Sequence, residues 1–377
     1  MIAIIIGTRA ELIKSFPLML ELQKRKIDYT FIHTGQHNLR DLCKLFGVKS
    51  PDVTLSKEPD TSSKFNARIG KALWWNLTLL FKIKKELKKI KNLEYVFYHG
   101  DTMTTMTAAI ASSKLFNPLK KYKNIHLEAG LRSGSLKEPF PEEISRQVCD
   151  KFSDILLAVS TRSQNNLVKE KRKGKIILVG NTIIDSATIA LEIAKKKRVR
   201  PLTQERFALI TIHRHENIKS KERMLKIIEI LSSLTIPSYF ALHSNTLERI
   251  KKMGLYDSLT SNSNIKIIEP MDYVSFIQQM KNCSLIVCDG GSMQEESLLF
   301  SKPCIILRKA TERQEGLESN FQFLSKLGVE ATRAKIKEYL SPNFKIKKIK
   351  NPYGEFGVSK KIIDSLGIKF KNRETLT

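Results

Sequence analysis

No stretch of this 377-residue chain approaches the roughly 18 consecutive apolar residues that signal a bilayer-spanning helix. The first residues already read as a core strand instead of a charged leader with a cleavage site, so a cytoplasmic protein is expected. Cysteine is scarce and odd in number. Cys43, Cys149, Cys283, Cys288 and Cys304 form no Cys-x-x-Cys pair and lie mostly in apolar segments, which argues against disulfides and structural zinc. No metal-ligand spacing is present and no cofactor is expected. There is no short-period repeat and no low-complexity tract beyond a lysine bias. Acidic residues are outnumbered: 38 Asp and Glu face 65 Lys and Arg, a net charge of +27. The lysine clusters, such as 82–91, 169–175, 195–200 and 345–350, lack interleaved aromatics or a nucleic-acid module, so no nucleic-acid partner is expected. A solvated basic face is the simplest reading, and peripheral contact with an anionic membrane is its most credible use.

What is present is chemistry at the ends of buried strands. Apolar Ile2 to Ile6 runs into Gly7-Thr8-Arg9, Tyr95 to Tyr98 into His99-Gly100-Asp101, and Ile125 and Leu127 into Glu128-Ala129-Gly130. Phe207 to Ile212 meets His213-Arg214-His215-Glu216, and Leu285 to Cys288 meets Asp289-Gly290-Gly291-Ser292. In open parallel sheets ligands bind beyond the carboxyl ends of strands, so this pattern points to one site. All seven histidines are read at or just beyond the end of an apolar run.

Strand-like and helix-like runs alternate throughout, which predicts an α/β protein with two parallel arrays. The expected first array has strands near 2–6, 29–34, 95–98, 124–128 and 155–159; the second has 176–179, 207–212, 239–242, 265–268, 285–288 and 304–307. The domain boundaries that follow are 1–165, 166–350 for a nucleotide-binding domain, and 351–377 for a final helix and tail crossing back to the first domain.

Within the second array, two glycines after Asp289 allow close backbone approach, and Ser292 is expected to cap a helix suited to phosphate. Glu296, one turn on, suits ribose hydroxyls, and Arg313 offers a guanidinium, although a surface salt bridge would explain it equally. Arg9 and Lys14 form a second cationic lobe. Glu128 stands out because an ionised group in an apolar setting needs a partner, for which Arg132 and Arg146 are available. Glu142 and Glu143 follow Pro141 and open a helix, where acidic side chains also complement the dipole. Together these groups suit a nucleoside diphosphate sugar.

The strings GTRAELIK, TGQH, HGDT, HLEAGLRSG, PFPEEISR, VGNTIID, HRHEN, DGGSMQEE and TERQE, in this order, resemble the non-hydrolysing UDP-N-acetylglucosamine 2-epimerases along nearly the whole chain. The resemblance implies two Rossmann-like domains facing across a cleft, as in GT-B glycosyltransferases, and a homodimer. It also implies a UDP-N-acetylhexosamine substrate, with UDP-N-acetylglucosamine and UDP-N-acetylmannosamine interconverted by anti elimination of UDP and re-addition. By the family pattern Asp101, Glu128, Glu142 and His213 match the acid-base group. Arg9, Lys14, Gly290, Gly291, Ser292, Glu296 and Arg313 match positions contacting UDP, and Phe276 one beside the uracil; from spacing alone Phe276 reads as a core aromatic. The chain departs from the pattern at Ala10, at Gly290-Gly291-Ser292, at Gln314 and at Ser244-Asn245-Thr246, all on the nucleotide side. A modified UDP-hexosamine, or a glycosyltransferase of the same fold, is the alternative. Gln36, His37, Arg68 and His243 match a second, regulatory substrate site of bacterial members, but Leu39 replaces an expected glutamine, which argues against such regulation.

Overall fold

The run Ile2–Ile6 is buried along its whole length, as a strand must be when helices cover both faces of its sheet. The computed structural model describes residues 1–36, 38–57, 65–135 and 141–368, and of 65–73 the backbone alone. His37 and the side chain of Arg68 therefore lie outside the described residues, as do residues 136–140 of the PFPEEISR segment.

The first sheet contains β1 (Ile2–Ile6), β2 (Tyr29–His33), β3 (Val53–Thr54), β4 (Tyr95–His99), β5 (Lys123–Ala129), β6 (Ile155–Ala158) and β7 (Lys175–Leu178). Their order is β3-β2-β1-β4-β5-β6-β7, with every pair parallel. The second contains β8 (Ala208–Thr211), β9 (Ser238–Ala241), β10 (Ile265–Ile268), β11 (Leu285–Cys288), β12 (Cys304–Ile306) and β13 (Gln322–Leu324), ordered β10-β9-β8-β11-β12-β13 and again parallel. Each sheet thus reverses its strand order once, between β1 and β4 and between β8 and β11, and so has the Rossmann-like arrangement. Among the described residues, no helix is long and apolar enough to cross a membrane.

The chain divides into two compact units: Met1–Ser186 joined by the segment from Tyr353 onward, and Ala187–Pro352. This corrects the expected boundary after residue 165. The strand near 176–179, assigned to the second array, is β7, which pairs with β6 through Ile155–Lys175 to Ala158–Leu178. The following helix, Ile183–Lys196, begins in the first unit, where the Ser186 hydroxyl donates to the Ile13 carbonyl at 2.6 Å. Alternation of strand and helix carries no mark of where one sheet stops and the next begins, so the last edge strand of one sheet reads the same as the first strand of another.

The final helix, Val358–Ser365, packs on helix Arg9–Lys24. Asp185 fixes its start by accepting from the amides of Gly357, Val358 and Ser359 at 2.7, 3.1 and 2.7 Å. A carboxylate on free amides at a helix N-terminus is favoured by both hydrogen bonding and the dipole. Near the other end, Arg25 pairs with Asp364 at 2.6 Å.

Candidate active site

In the first unit the site grows from the turn after β1. Thr8 caps helix Arg9–Lys24 in a capping box with Glu11, and Arg9, its first residue, is exposed. Glu11 is buried and does more than cap. Its carboxylate accepts from the amides of Gly7 and Thr8 and from the hydroxyls of Thr102 and Thr105, tying the β1 turn to the β4 turn across the point where strand order reverses. Burial raises its pKa despite these hydrogen bonds.

Lys14, about one turn further along that helix, reaches Glu128 in an ion pair with both side chains largely withdrawn from water. Glu128 lies inside β5, not beyond its end, and the register shifts there, from Leu127 opposite Leu157 to Ala129 opposite Ala158. At φ 70° it is a non-glycine residue in the left-handed region. Such a conformation costs on the order of 1–3 kcal/mol and persists only where the surroundings enforce it. Here they do so from several sides: Asn181 donates to the same oxygen as Lys14 at 3.0 Å, and His99 Nδ1 stands 3.9 Å from the other. The partners expected for Glu128, Arg132 and Arg146, are engaged elsewhere. Arg132 pairs with Asp150, on helix Glu142–Phe152, and with Glu170, which closes helix Thr161–Lys169, each at 2.7 Å. Arg146 donates to Asp101 at 2.5 Å and to Glu143 at 2.7 Å.

His99 is fully buried, and burial pushes its pKa down to about 3 even though Glu128 pulls the other way. It is a neutral imidazole beside the carboxylate. Asp101 remains partly open to solvent. Glu142, half-buried, is the first residue of helix Glu142–Phe152, and Arg146 on that helix connects it to Asp101. The first unit therefore carries Arg9 and Lys14 on the helix after β1, Asp101 just after β4, Glu128 near the end of β5 and Glu142 at the start of the helix that follows β5.

His213, Phe276, Gly290, Gly291, Ser292, Glu296 and Arg313 stand on the second unit. His213 follows β8 with its side chain 53% exposed, and its imidazole lies 3.6 Å from Asp289 at the end of β11. Asp289 organises this turn, accepting from the amides of His213 and Arg214 at 3.0 and 2.9 Å and from the Asn217 side chain at 3.0 Å. Ser292 is not the cap. Gly291 occupies that position with no side-chain bond, Ser292 is the first residue of helix Ser292–Leu299, and the Gln294 amide turns back to the Gly291 carbonyl at 3.1 Å. A Cβ on Gly291 would lie 2.6 Å from Arg313 Nη1 and one on Gly290 3.3 Å from His213 Cε1, so both glycines let neighbouring side chains close in. Arg313 is no surface salt bridge: it is buried with Glu312 and Glu295, and Glu312 also takes Arg308 at 2.8 Å. Glu296 is buried and accepts from the Tyr273 hydroxyl at 2.7 Å, while Phe276 on the same helix as Tyr273 is half-buried.

Asn181, Glu11 and Asp289 lie in the strings VGNTIID, GTRAELIK and DGGSMQEE, yet nothing adjacent in sequence marks what they bind. Their partners lie 53, 91 and 76 residues away, and only the sheet order brings them together. The one legible signal was an acid or amide next to a strand end.

Residues 20–367 match the family model for UDP-N-acetylglucosamine 2-epimerase. This chain belongs to that family. A UDP-N-acetylglucosamine 2-epimerase of Methanocaldococcus jannaschii is 38% identical over 330 residues, covering 84% of this chain and 86% of its own. The crystal structure of the Methanocaldococcus jannaschii UDP-GlcNAc 2-epimerase in complex with UDP-GlcNAc and UDP matches with a TM-score of 0.82 at 33% identity, over 97% of this chain and 99% of that one. That of the Neisseria meningitidis enzyme bound to UDP-GlcNAc matches with a TM-score of 0.81 at 31% identity, over 97% and 99%. The family resemblance carried by the motif strings is met, and these relatives do not favour the glycosyltransferase alternative. Two departures from the epimerase pattern fall on ordinary positions: Ala10 is exposed in the first turn of its helix, and Gln314 opens a 3-10 turn, Gln314–Glu318.

Proposed function

We propose that this epimerase-family protein interconverts UDP-N-acetylglucosamine and UDP-N-acetylmannosamine, supplying glycan or surface polysaccharide synthesis. The reading is supported by the placement of Asp101 just after β4, Glu128 near the end of β5 and Glu142 at the start of the helix whose Arg146 binds Asp101, in a chain similar to an epimerase solved with UDP-GlcNAc. Inversion at carbon 2 needs its proton removed from one face and returned on the other. In the proposed sequence a base takes that proton as the bond from carbon 1 to the diphosphate breaks, and UDP leaves with the electron pair. The 2-acetamidoglucal then takes back UDP and a proton on the opposite face. Asp101 and Glu142 are assigned the proton transfers, and Glu128 and His213 the orientation of the sugar and the departing diphosphate. Arg9, Lys14, Phe276, Gly290, Gly291, Ser292, Glu296 and Arg313 are assigned to UDP. Acid-base groups on several turns are what distinguishes such a site from one that merely binds.

The protein is proposed to work as a cytoplasmic homodimer. Five buried free cysteines fit a reducing compartment. Trp74, Leu77 and Phe81 leave an exposed apolar stripe on helix Phe65–Lys89 that fits a subunit contact. The net charge of +27 fits peripheral contact with anionic lipid.

Incubation with UDP-N-acetylglucosamine in deuterium oxide tests the reaction. Deuterium at carbon 2 and the manno epimer are expected. Free N-acetylmannosamine with UDP would indicate hydrolysis, and turnover only of a UDP-hexosamine carrying a further substituent would move the substrate. Absence of exchange with every such sugar would overturn the reading.

A further inference from the structure

Under the two acid-bearing turns of the first unit lies a charged cluster with no assigned part in the reaction. His126, in the middle of β5, is completely buried, with its ring stacked on Tyr98 at 5.9 Å. Its Nε2 lies 2.8 Å from the Gly100 carbonyl and its Nδ1 2.7 Å from Asp150 Oδ1. Both partners accept. A neutral imidazole has one donor and one acceptor nitrogen and cannot satisfy both, whereas an imidazolium donates to both. Asp150 also binds Arg132 at 2.7 Å, and Glu170 takes both Arg132 and Arg172, at 2.7 and 2.6 Å, so the ring sits at one end of a continuous chain of ion pairs. The second Asp150 oxygen further accepts from the Gly130 amide at 3.3 Å.

We infer that His126, as an imidazolium, and Asp150 are positioning residues that set the His99-Gly100-Asp101 turn and the Glu128-Ala129-Gly130 turn relative to one another. Through the Gly100 carbonyl the ring holds the residue before Asp101, and through the Gly130 amide Asp150 holds the backbone two residues beyond Glu128. Neither needs to touch substrate. Both acids are proposed to act on one sugar, so their separation matters to kcat more than to nucleotide affinity.

The kinetic arm rests on the epimerase reading; the spectroscopic arm does not. His126→Gln keeps a donor of the right length for Gly100, whereas His126→Asn is too short. Because a displacement of about 1 Å can cost about a hundredfold in rate, His126→Asn and Asp150→Asn are expected to lower kcat by tens to about a hundredfold. KM and UDP affinity should move less than about threefold, with His126→Gln recovering about tenfold of the kcat loss. Equal losses in kcat and in UDP affinity, unchanged kcat, or Gln no better than Asn would overturn the inference. In wild-type enzyme labelled with 15N-histidine, both His126 ring nitrogens should be protonated at pH 7; a nitrogen without its proton would refute the imidazolium even if the variants fold poorly or no nucleotide sugar is turned over.

Discussion

The ammonium of Lys14 and the carboxylate of Glu128, 114 residues apart, meet in an ion pair at a β-bulge, where Glu128 adopts a left-handed backbone. The pair joins the first helix to the strand that carries the most deeply buried of the proposed acids.

Removing one member of a buried pair leaves the other charged and poorly solvated, so Lys14→Met is expected to lower stability by about 3 kcal/mol in urea unfolding. Glu128→Gln should cost less, and the double variant should recover part of the loss through a positive coupling between the two sites.

Gly291→Ala should act on binding more than on folding. The added Cβ would come within 2.6 Å of Arg313 Nη1 and 3.0 Å of Glu312 Oε1, while the backbone angle of φ −73° is ordinary. Displacement of Arg313 is expected to weaken UDP binding about tenfold by calorimetry, with a stability change of no more than about 1 kcal/mol.

Gly180→Ala should do the reverse. Gly180 has φ +103°, and a Cβ there would stand 2.7 Å from the Tyr353 carbonyl. A loss of about 3 kcal/mol is expected from strain and overlap together, visible in the thermal midpoint, with UDP affinity of the folded fraction unchanged.

The neutral state of His99 makes acid stability a test of its burial. With its pKa held at about 3 against 6.5 for the free side chain, the unfolded chain binds a proton that the native protein refuses as pH falls below 6.5. Its contribution is therefore complete above pH 6.5 and lost progressively toward pH 3, at up to about 1.4 kcal/mol per pH unit. Glu11, whose pKa is raised, has the opposite sign and favours the native state as it protonates. In urea titrations from pH 7 to pH 4, His99→Gln should flatten the decline; an unchanged slope would show that His99 is protonated in the native protein.

Asp101→Asn and Glu142→Gln are each expected to reduce carbon 2 exchange by at least about a hundredfold while UDP affinity stays within about threefold. Undiminished turnover in either variant would remove that residue from the proton transfers.

Much of the fold is legible because buried parallel strands are continuous apolar runs. Ile2–Ile6 and Leu285–Cys288 need no other information. β3, only Val53–Thr54, and β13, Gln322–Leu324, are too short and too polar to register as apolar runs, and both sit at sheet edges. In the site, Glu128 is visible as an acid in an apolar run, but its partner is not, because nearness in sequence suggested Arg132 and Arg146 while the sheet order supplied Lys14 and Asn181. His126 reads like the other strand-end histidines, yet it lies within β5, and its two acceptors, on Asp150 and Gly100, are 24 and 26 residues away in sequence. Ser292 offered the chemistry of a cap, but the helix starts with it and not after it.

The three amides on Asp185 mean that the first unit is completed by residues translated after the entire second unit. Asn181 donates its amide to the Tyr353 carbonyl at 2.9 Å, so the outgoing and returning strands of chain are fastened side by side. On the ribosome the seven-stranded sheet must wait for its last helix until the intervening 166 residues, Ala187–Pro352, have emerged, and the six-stranded sheet has the first opportunity to become fully native.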